Sequence, residues 1–526
     1  MMAAGRPNAV IVGAGMAGLA AAVKLIEVNM FDVTILEATD RPGGRIHTSC
    51  ELGSEVIELG ANWIHGEANN PIYKLAEENG LLKESSNAEC SSSSSSSSNN
   101  SSTDWTKTAA NKGHFILENG TVVPPEIVKK GCMWYDSQCE SSTNSDNHNG
   151  CSNVCDFIKK SLETTMAEEG ITDERVKHFH RRLSKWCMMQ ECLDMACESC
   201  NDVSLIHFND FKPCPGEFYT CLGEKGFQGV VDLFLKQLPS DTIRYCQPVN
   251  QIIWTQERSK DQVTDNYAPT AVIGKPCAVV CVKGQPDIQA DHVIVTSSVG
   301  YLRENHLTMF QPALPADKQR AINTLGFGTV DKIFLRYEKP FWEAGLEGIQ
   351  LLWEHNPWHD GPSTAEGENM DCKSNWMWKI PGFYTVDGHD DVLCAWISGR
   401  EAEYMEHLSD TEVGQTCTEI LQKFLQRDVP SPVQIVVSRW GSHPYIRGSY
   451  CGYLPVCGTG EEYDVMSKPI IEEWQGDDGE NVQHPLLLFA GEAFHKDFQS
   501  TVHGAMVSGQ QQAEKLIQFH RSPSTE

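Results

Sequence analysis

Val10-Ile11-Val12-Gly13-Ala14-Gly15-Met16-Ala17-Gly18 is followed, nineteen residues after Gly18, by Glu37 at the end of Val33-Thr34-Ile35-Leu36-Glu37. A short apolar strand running into G-x-G-x-x-G, then a helix, a second strand and a terminal acid, is the start of a dinucleotide-binding βαβ unit. Gly13 permits the tight turn, Gly15 lets a pyrophosphate approach the backbone, and Gly18 lets helix and strand pack closely. The helix carries Ala17 in its first turn, and its N-terminus offers free N–H groups and positive dipole charge to phosphates. Glu37 would accept ribose hydroxyls, and its charge argues against a 2′-phosphate and hence against NADP. An ordinary glycine-rich turn explains neither the spacing nor the acid.

After Glu37 the chain reads Ala38-Thr39-Asp40-Arg41-Pro42-Gly43-Gly44-Arg45. This second Gly pair with its Arg resembles the G-G-R element of FAD-dependent amine oxidases. The resemblance continues at Glu58-Leu59-Gly60-Ala61-Asn62-Trp63-Ile64-His65-Gly66 and at Gly328-Thr329-Val330-Asp331-Lys332-Ile333-Phe334. Further matching blocks are Trp440-Gly441-Ser442-His443-Pro444-Tyr445, Gly491-Glu492-Ala493 and Ser500-Thr501-Val502-His503-Gly504-Ala505. The blocks span the chain in the family's order and are nearest to the animal polyamine oxidase branch, which includes spermine oxidase and acetylpolyamine oxidase. The resemblance implies an α/β, Rossmann-like FAD-binding domain joined to an α+β substrate-binding domain, the two-domain amine oxidase architecture.

Composition narrows the class. The 526 residues are 40% hydrophobic, enough for large cores. No run of eighteen or more apolar residues exists, so no membrane span is expected. The short lead Met1–Pro7 leaves no room for a signal peptide, and the ending Ser522-Pro523-Ser524-Thr525-Glu526 is not of the S-K-L type. Twenty dispersed cysteines in a chain this long read as reduced thiols, so the expected compartment is the cytoplasm, with the nucleus as a second location. A net charge of −29, from 71 acids against 42 bases, repels nucleic acid and draws in cations, although it also serves solubility. A polycationic small molecule is therefore the expected substrate, and a monomer the expected state.

Along the chain, the domain expectation is residues 1–82, 223–305 and 436–526 for the FAD domain and 83–222 and 306–435 for the substrate domain. Ser91 to Ser98 is unbroken serine, and Ser141 to Asn149 is similarly polar; low-complexity loops are expected near 86–112 and 137–150. Helical patterns run from Pro71 to about Leu82, between Val154 and Cys200, from Gly226-Phe227-Gln228, from about Thr411 to Leu425 and from Val502 to Phe519. Strands are expected at Ile243, Val249–Trp254, Ala278–Val282, His292–Thr296, Lys332–Tyr337, Val392–Ile397 and Leu486–Ala490.

The resemblance then assigns roles. Arg45 backs the pyrophosphate, Gly60 and Ala61 border the cofactor, Glu492 holds the ribityl chain and Val249 meets the adenine. Thr501 and Val502 start a helix aimed at the electron-rich edge of the flavin ring, and Trp440 supports the ring. Ser449 stands where monoamine oxidases carry the flavin-linking cysteine, so the FAD is expected to be non-covalent. Lys332 interrupts an apolar strand, a costly place for an ammonium without partners; the family's lysine holds a water against the flavin. His65 beside Trp63 reads as structural by itself, but a matching histidine lines the family's substrate tunnel. Tyr450 matches an aromatic wall of the amine cage, and Ser500 and Thr501 border the substrate. Glu198 resembles an acid that fixes a distal amine, and equally reads as a solvated helix-end acid. Cys192, Cys197 and Cys200 have a spacing that can serve an iron–sulfur cluster, but no fourth ligand block follows and no metal is expected.

The implied reaction is oxidation of a secondary amine C–N bond in spermine or a related polyamine, giving an aminoaldehyde and a smaller amine, with O2 reduced to hydrogen peroxide. Val330 lies where acetylpolyamine oxidases carry a polar residue, which leaves the end-group preference open. A histone demethylase would need a long helical insertion, and a monoamine oxidase the linking cysteine. A silent FAD-binding scaffold would lack Lys332, the aromatic wall or the Gly-Glu-Ala block.

Overall fold

The computed structural model of the chain describes residues 6–53, 55–83, 113–254, 277–354, 375–475 and 481–521. Asn8–Val12 is the centre of a six-stranded sheet ordered Ile470–Gln475, Asn481–Phe489, His292–Val295, Asn8–Val12, Asp32–Leu36, Ile243–Arg244. All neighbours pair in parallel except the Ile470–Gln475 edge, which pairs antiparallel to Asn481–Phe489. The central strand is apolar on both faces because both faces are covered. Ala9 and Ile11 pack against the Met16–Glu27 and Val502–Arg521 helices, while Val10 and Val12 pack on a small sheet containing Val249–Ile253 and Ala278–Val282. The two helices touch so closely that a Cβ on Gly509 would sit 2.1 Å from the Ala17 carbonyl oxygen.

A second six-stranded sheet is ordered Gln434–Val437, Val330–Arg336, His389–Ser398, Gly382–Val386, Gly348–Leu352, His114–Leu117. Its pairings are antiparallel save the last, and its core closes over the Asp410–Leu425 helix. That helix starts one residue before expectation because Ser409 and Glu412 form a reciprocal capping box.

Three expectations need correction. The Pro71 helix ends at Glu78, where Gly80 takes φ +62, so Leu81 and Leu82 leave the helix. The polar stretch near 137–150 is structured rather than a loop: a helix covers Pro125–Ser141 and a 3-10 turn Ser145–His148. The Asn144 side chain accepts from the Asp146 N–H within the turn, and the Asn209 side chain donates to the Ser142 hydroxyl at 3.0 Å, which ties the stretch to a distant segment. The helical region 154–200 is two helices, Val154–Glu168 and Glu174–Met195, broken at Gly170 with φ +65. The serine tract Ser91–Ser98 lies outside the described residues.

Candidate active site

A cavity of about 1900 Å³ opens beyond the carboxyl ends of the parallel strands and runs under the second sheet. Strand ends supply its floor: Val12-Gly13, Leu36-Glu37, Thr296 to Ser298 and Gly491-Glu492 all line it. That is where an open α/β sheet binds ligands.

The dinucleotide end is built as the fingerprint predicts. Gly13 has φ +106, a conformation that suits glycine, and a Cβ there would lie 2.6 Å from the Thr296 hydroxyl. On Gly18 a Cβ would sit 2.0 Å from the Gly13 oxygen. Around Gly15, by contrast, a Cβ would meet nothing within 4 Å, so this glycine leaves space open on the cavity wall. Ala17 lines the same wall. Glu37 is buried and already oriented: one oxygen accepts from the Ala14 N–H at 2.8 Å, the other from the Thr39 N–H at 2.8 Å and hydroxyl at 2.7 Å. A carboxylate has about four acceptor sites, so it keeps capacity for ribose. Arg41 was not assigned a role from sequence; its guanidinium donates to the Gly44 and Ile46 carbonyls at 2.7 and 2.9 Å and braces the second Gly pair.

Arg45 and Glu492 are brought together. They form an ion pair at 2.6 Å, and Arg45 also donates to the Ser449 carbonyl at 2.9 Å. The second Glu492 oxygen accepts from the Cys451 and Ser500 N–H groups. One carboxylate thus ties the first glycine-rich segment to the last helix. The Thr501 hydroxyl caps that helix, accepting from the Gly504 N–H at 2.9 Å, and Thr501, Val502 and Ser500 all line the cavity. Gly60, Ala61, Val249 and Trp440 line it too. Trp440 is held by its indole N–H on the Leu59 carbonyl at 3.0 Å.

Further in, Lys332 is buried beside an aromatic box in which Trp63 contacts both Trp396 and Tyr219. Its ammonium donates to the Glu58 carbonyl at 2.6 Å, the Gly60 carbonyl at 2.8 Å and the Asn62 side-chain oxygen at 3.1 Å. These three acceptors use all its protons. It also lies 4.4 Å from the centroid of the Trp396 ring, which stacks on Trp63 with centroids 5.5 Å apart. Burial pulls Lys332 down to about 8, opposed by the Cys394 and Glu58 charges. It pushes the Glu58 carboxyl up to about 7. His65 lines the cavity, and its Nδ1 lies 3.0 Å from the Phe218 carbonyl, which fixes Nδ1 as the donor. Burial lowers it to about 4, so the ring is neutral. Tyr450 also lines the cavity, its hydroxyl donating to the Leu193 carbonyl and its ring packed with Leu193, Ala196 and Val330, the cluster against which Trp396 also packs.

Glu198 is not brought into this cavity. Its carboxylate pairs with Arg400 at 2.9 Å, and the turn carrying it is drawn toward Lys379. Acids that do line the cavity include Glu191 and Asp194 of the Glu174–Met195 helix and Asp136 and Glu140 of the Pro125–Ser141 helix, with Glu55, Glu58, Glu224, Glu347 and Asp387 lining it as well. Glu191 and Asp194, three apart, share a helix face, a signal legible in the sequence and not used. Burial first, then the charges of Asp194 and Asp136, hold the Glu191 carboxyl well above its ordinary range. A cation arriving there would relieve that repulsion.

The pattern of the flavin containing amine oxidoreductases matches residues 16–517. A peroxisomal N(1)-acetyl-spermine/spermidine oxidase of Homo sapiens is 34% identical, with 98% of this chain and 96% of that one covered. Its Bos taurus counterpart is 32% identical over 97% and 94%. Among solved structures, a redesigned putrescine oxidase shares the fold with a TM-score of 0.61, at 19% identity over 97% of this chain and 99% of that one.

Proposed function

The chain belongs to the flavin containing amine oxidoreductase family, and from that premise we propose that it is an FAD-dependent polyamine oxidase acting on spermine or a close relative. The observation that carries this reading is the make-up of one continuous cavity, whose lining joins a dinucleotide cradle, the aromatic rings beside Lys332 and a set of carboxylates that includes Glu191 and Asp194. Aromatic faces accept an amine while excluding water, and carboxylates hold the other, still-charged nitrogens. FAD held by this cradle would supply a hydride acceptor for the carbon beside the substrate nitrogen and a two-electron donor for O2, with hydrogen peroxide as the product.

The chain's own residues do the rest. Gly15 and the Met16–Glu27 helix would receive the pyrophosphate, Glu37 the ribose, and the Arg45–Glu492 pair would close the cradle. The aromatic box desolvates the reacting amine and so favours its neutral form. His65, neutral and with Nδ1 committed to Phe218, presents Nε2 as an acceptor. Lys332 holds the Glu58–Asn62 segment in place through its three donated hydrogen bonds.

The Ser449 hydroxyl accepts from the Val330 N–H and donates to the Val330 carbonyl, each at 2.8 Å. With no thiol and an engaged hydroxyl at this position, the FAD is held non-covalently. Acid denaturation should therefore release all flavin into the supernatant; colour that stays in the washed precipitate would contradict it. The test of function is anaerobic mixing with spermine, spermidine and N1-acetylspermine while flavin absorbance is followed. Bleaching by none of them would favour a scaffold. Because the reacting amine must be neutral, kcat/KM for spermine should climb from pH 7 to 9. His65, held near 4 by burial, should add no inflection in that range. A flat curve would rule out hydride loss from a free amine.

Glu191→Gln combined with Asp194→Asn should raise the spermine Kd by about tenfold, ~1.4 kcal/mol. The change should be much smaller for N1-acetylspermine if the acetylated end is the one that faces these acids. An unchanged ratio between the two substrates would move the anchor to other carboxylates.

A further inference from the structure

Where the Glu174–Met195 helix ends, Ala196 adopts the left-handed conformation at φ 51 and the chain folds back, so that the Cys197 N–H donates to the Cys192 carbonyl at 3.1 Å. This turn carries Cys197 and Cys200 alongside Cys192, and all three thiols are buried. We propose that Cys192, Cys197 and Cys200 form a structural site for one thiophilic d10 cation, Zn(II) or Cu(I), contrary to the sequence expectation of no metal.

The three sulfur atoms lie within 4.8 Å of one another, and Cys192 Sγ and Cys200 Sγ are 3.8 Å apart. Two thiolates on one tetrahedral ion with metal–sulfur bonds of ~2.3 Å sit roughly 3.8 Å apart, so the sulfurs are already spaced for a shared ion. Among the described residues the cluster gathers no fourth His, Cys, Asp or Glu ligand. Three-thiolate sites suit Cu(I), whereas Zn(II) would complete its shell with water or a carbonyl. The ligand set is soft throughout, which selects against Mg(II) and Ca(II).

The surroundings supply countercharge. Three thiolates on Zn(II) carry a net charge of −1. The buried Lys379 ammonium lies close enough to feel the Cys192 and Cys197 charges, and it donates to the Glu198 carbonyl of the same turn. Arg400 pairs with Glu198, and Glu401 and Asp202 are the acids nearby. Without an ion, shared S–H hydrogen bonds and burial keep Cys197 and Cys200 protonated. Binding must therefore release thiol protons to the buffer. The ion would brace the same helix turn that brings Glu191, Leu193 and Asp194 to the cavity wall and receives the Tyr450 hydroxyl.

The test uses holoenzyme expressed separately with added zinc and with added copper, purified anaerobically with reductant and passed through a weak chelator. Elemental analysis should find about one ion per chain in one arm. Cys197→Ser and Cys200→Ser should lose it while keeping the wild-type ratio of flavin to protein absorbance. Protein reconstituted with Co(II) should show a sulfur-to-metal charge-transfer band that both variants lack. Should the variants fail to bind flavin, the wild-type metal count and Co(II) spectrum decide. Wild-type protein free of metal in both arms, with three thiols reactive on unfolding, would overturn the proposal. So would metal retained by both variants, or a Cys192–Cys200 disulfide in the reduced protein.

Discussion

Lys332→Met should keep its flavin and lose at least about tenfold in the rate of flavin reduction, of reoxidation, or of both, the scale of losing one positioned proton-handling group. The methionine fills similar space, so the strand Val330–Arg336 is expected to survive in its register against His389–Ser398. What disappears is the cation over the Trp396 ring and the donor to the Glu58 and Gly60 carbonyls and the Asn62 side chain. Orphaned buried acceptors cost about 1–3 kcal/mol each when nothing relaxes. Part of any loss could therefore come from a loosened Glu58–Asn62 segment. Lys332→Arg separates the two causes: it keeps charge and donors but cannot give up a proton near neutrality. If proton handling matters, Arg leaves the melting temperature near wild type and still runs slowly. A wild-type inflection near pH 8, where burial places the Lys332 ammonium, should also vanish in both variants. Stopped-flow measurement of the two half-reactions decides it. Wild-type rates for both in Lys332→Met would reduce the lysine to a structural strut.

What the sequence made legible, and what it hid, divides along the reach of the interactions. The glycine fingerprint, Glu37 and the strand carrying Lys332 are local patterns whose backbone consequences follow within a few residues. The placement of the glycines and Glu37 on one cavity wall follows from strand order in the parallel sheet, whereas Lys332 reaches the cavity from the second, mainly antiparallel sheet. The Arg45–Glu492 ion pair joins residues 447 apart; each was assignable to the cofactor end, but their mutual contact was not. Glu198 misled for the same reason. A helix-end acid cannot reveal that Arg400, on an element far away in the chain, will take its carboxylate. Glu191 and Asp194 were within reach of a helical-face argument, yet nothing local says which face meets a cavity. The polar stretch after Ser137 was misjudged because low apolar content was equated with absence of structure. Capping side chains and backbone turns can order so short a segment once its ends are anchored by the Pro125–Ser141 and Val154–Glu168 helices.

Gly15→Val should fold and yet lose flavin affinity by at least about a hundredfold, ~3 kcal/mol. The two halves of that statement have separate causes. At φ −73 and ψ 176 the Gly15 backbone is extended, a conformation any residue adopts, and a Cβ there meets no protein atom within 4 Å. The polypeptide therefore has no steric objection to a side chain at this position. A β-branched residue at the start of the Met16–Glu27 helix costs at most about 1 kcal/mol of capping, since no side-chain cap exists there to lose. Only a ligand drawn close against the loop would collide with it. Gly18→Val is the contrasting case: its Cβ would press to 2.0 Å from the Gly13 oxygen, so that variant should fail to fold whether or not flavin is offered. Circular dichroism and thermal melts of the flavin-free forms, followed by titration with FAD, separate the outcomes. Gly15→Val that binds FAD as the wild type does would place the pyrophosphate elsewhere. Gly15→Val that cannot fold without flavin would show that the open space at residue 15 serves the chain and not its cofactor.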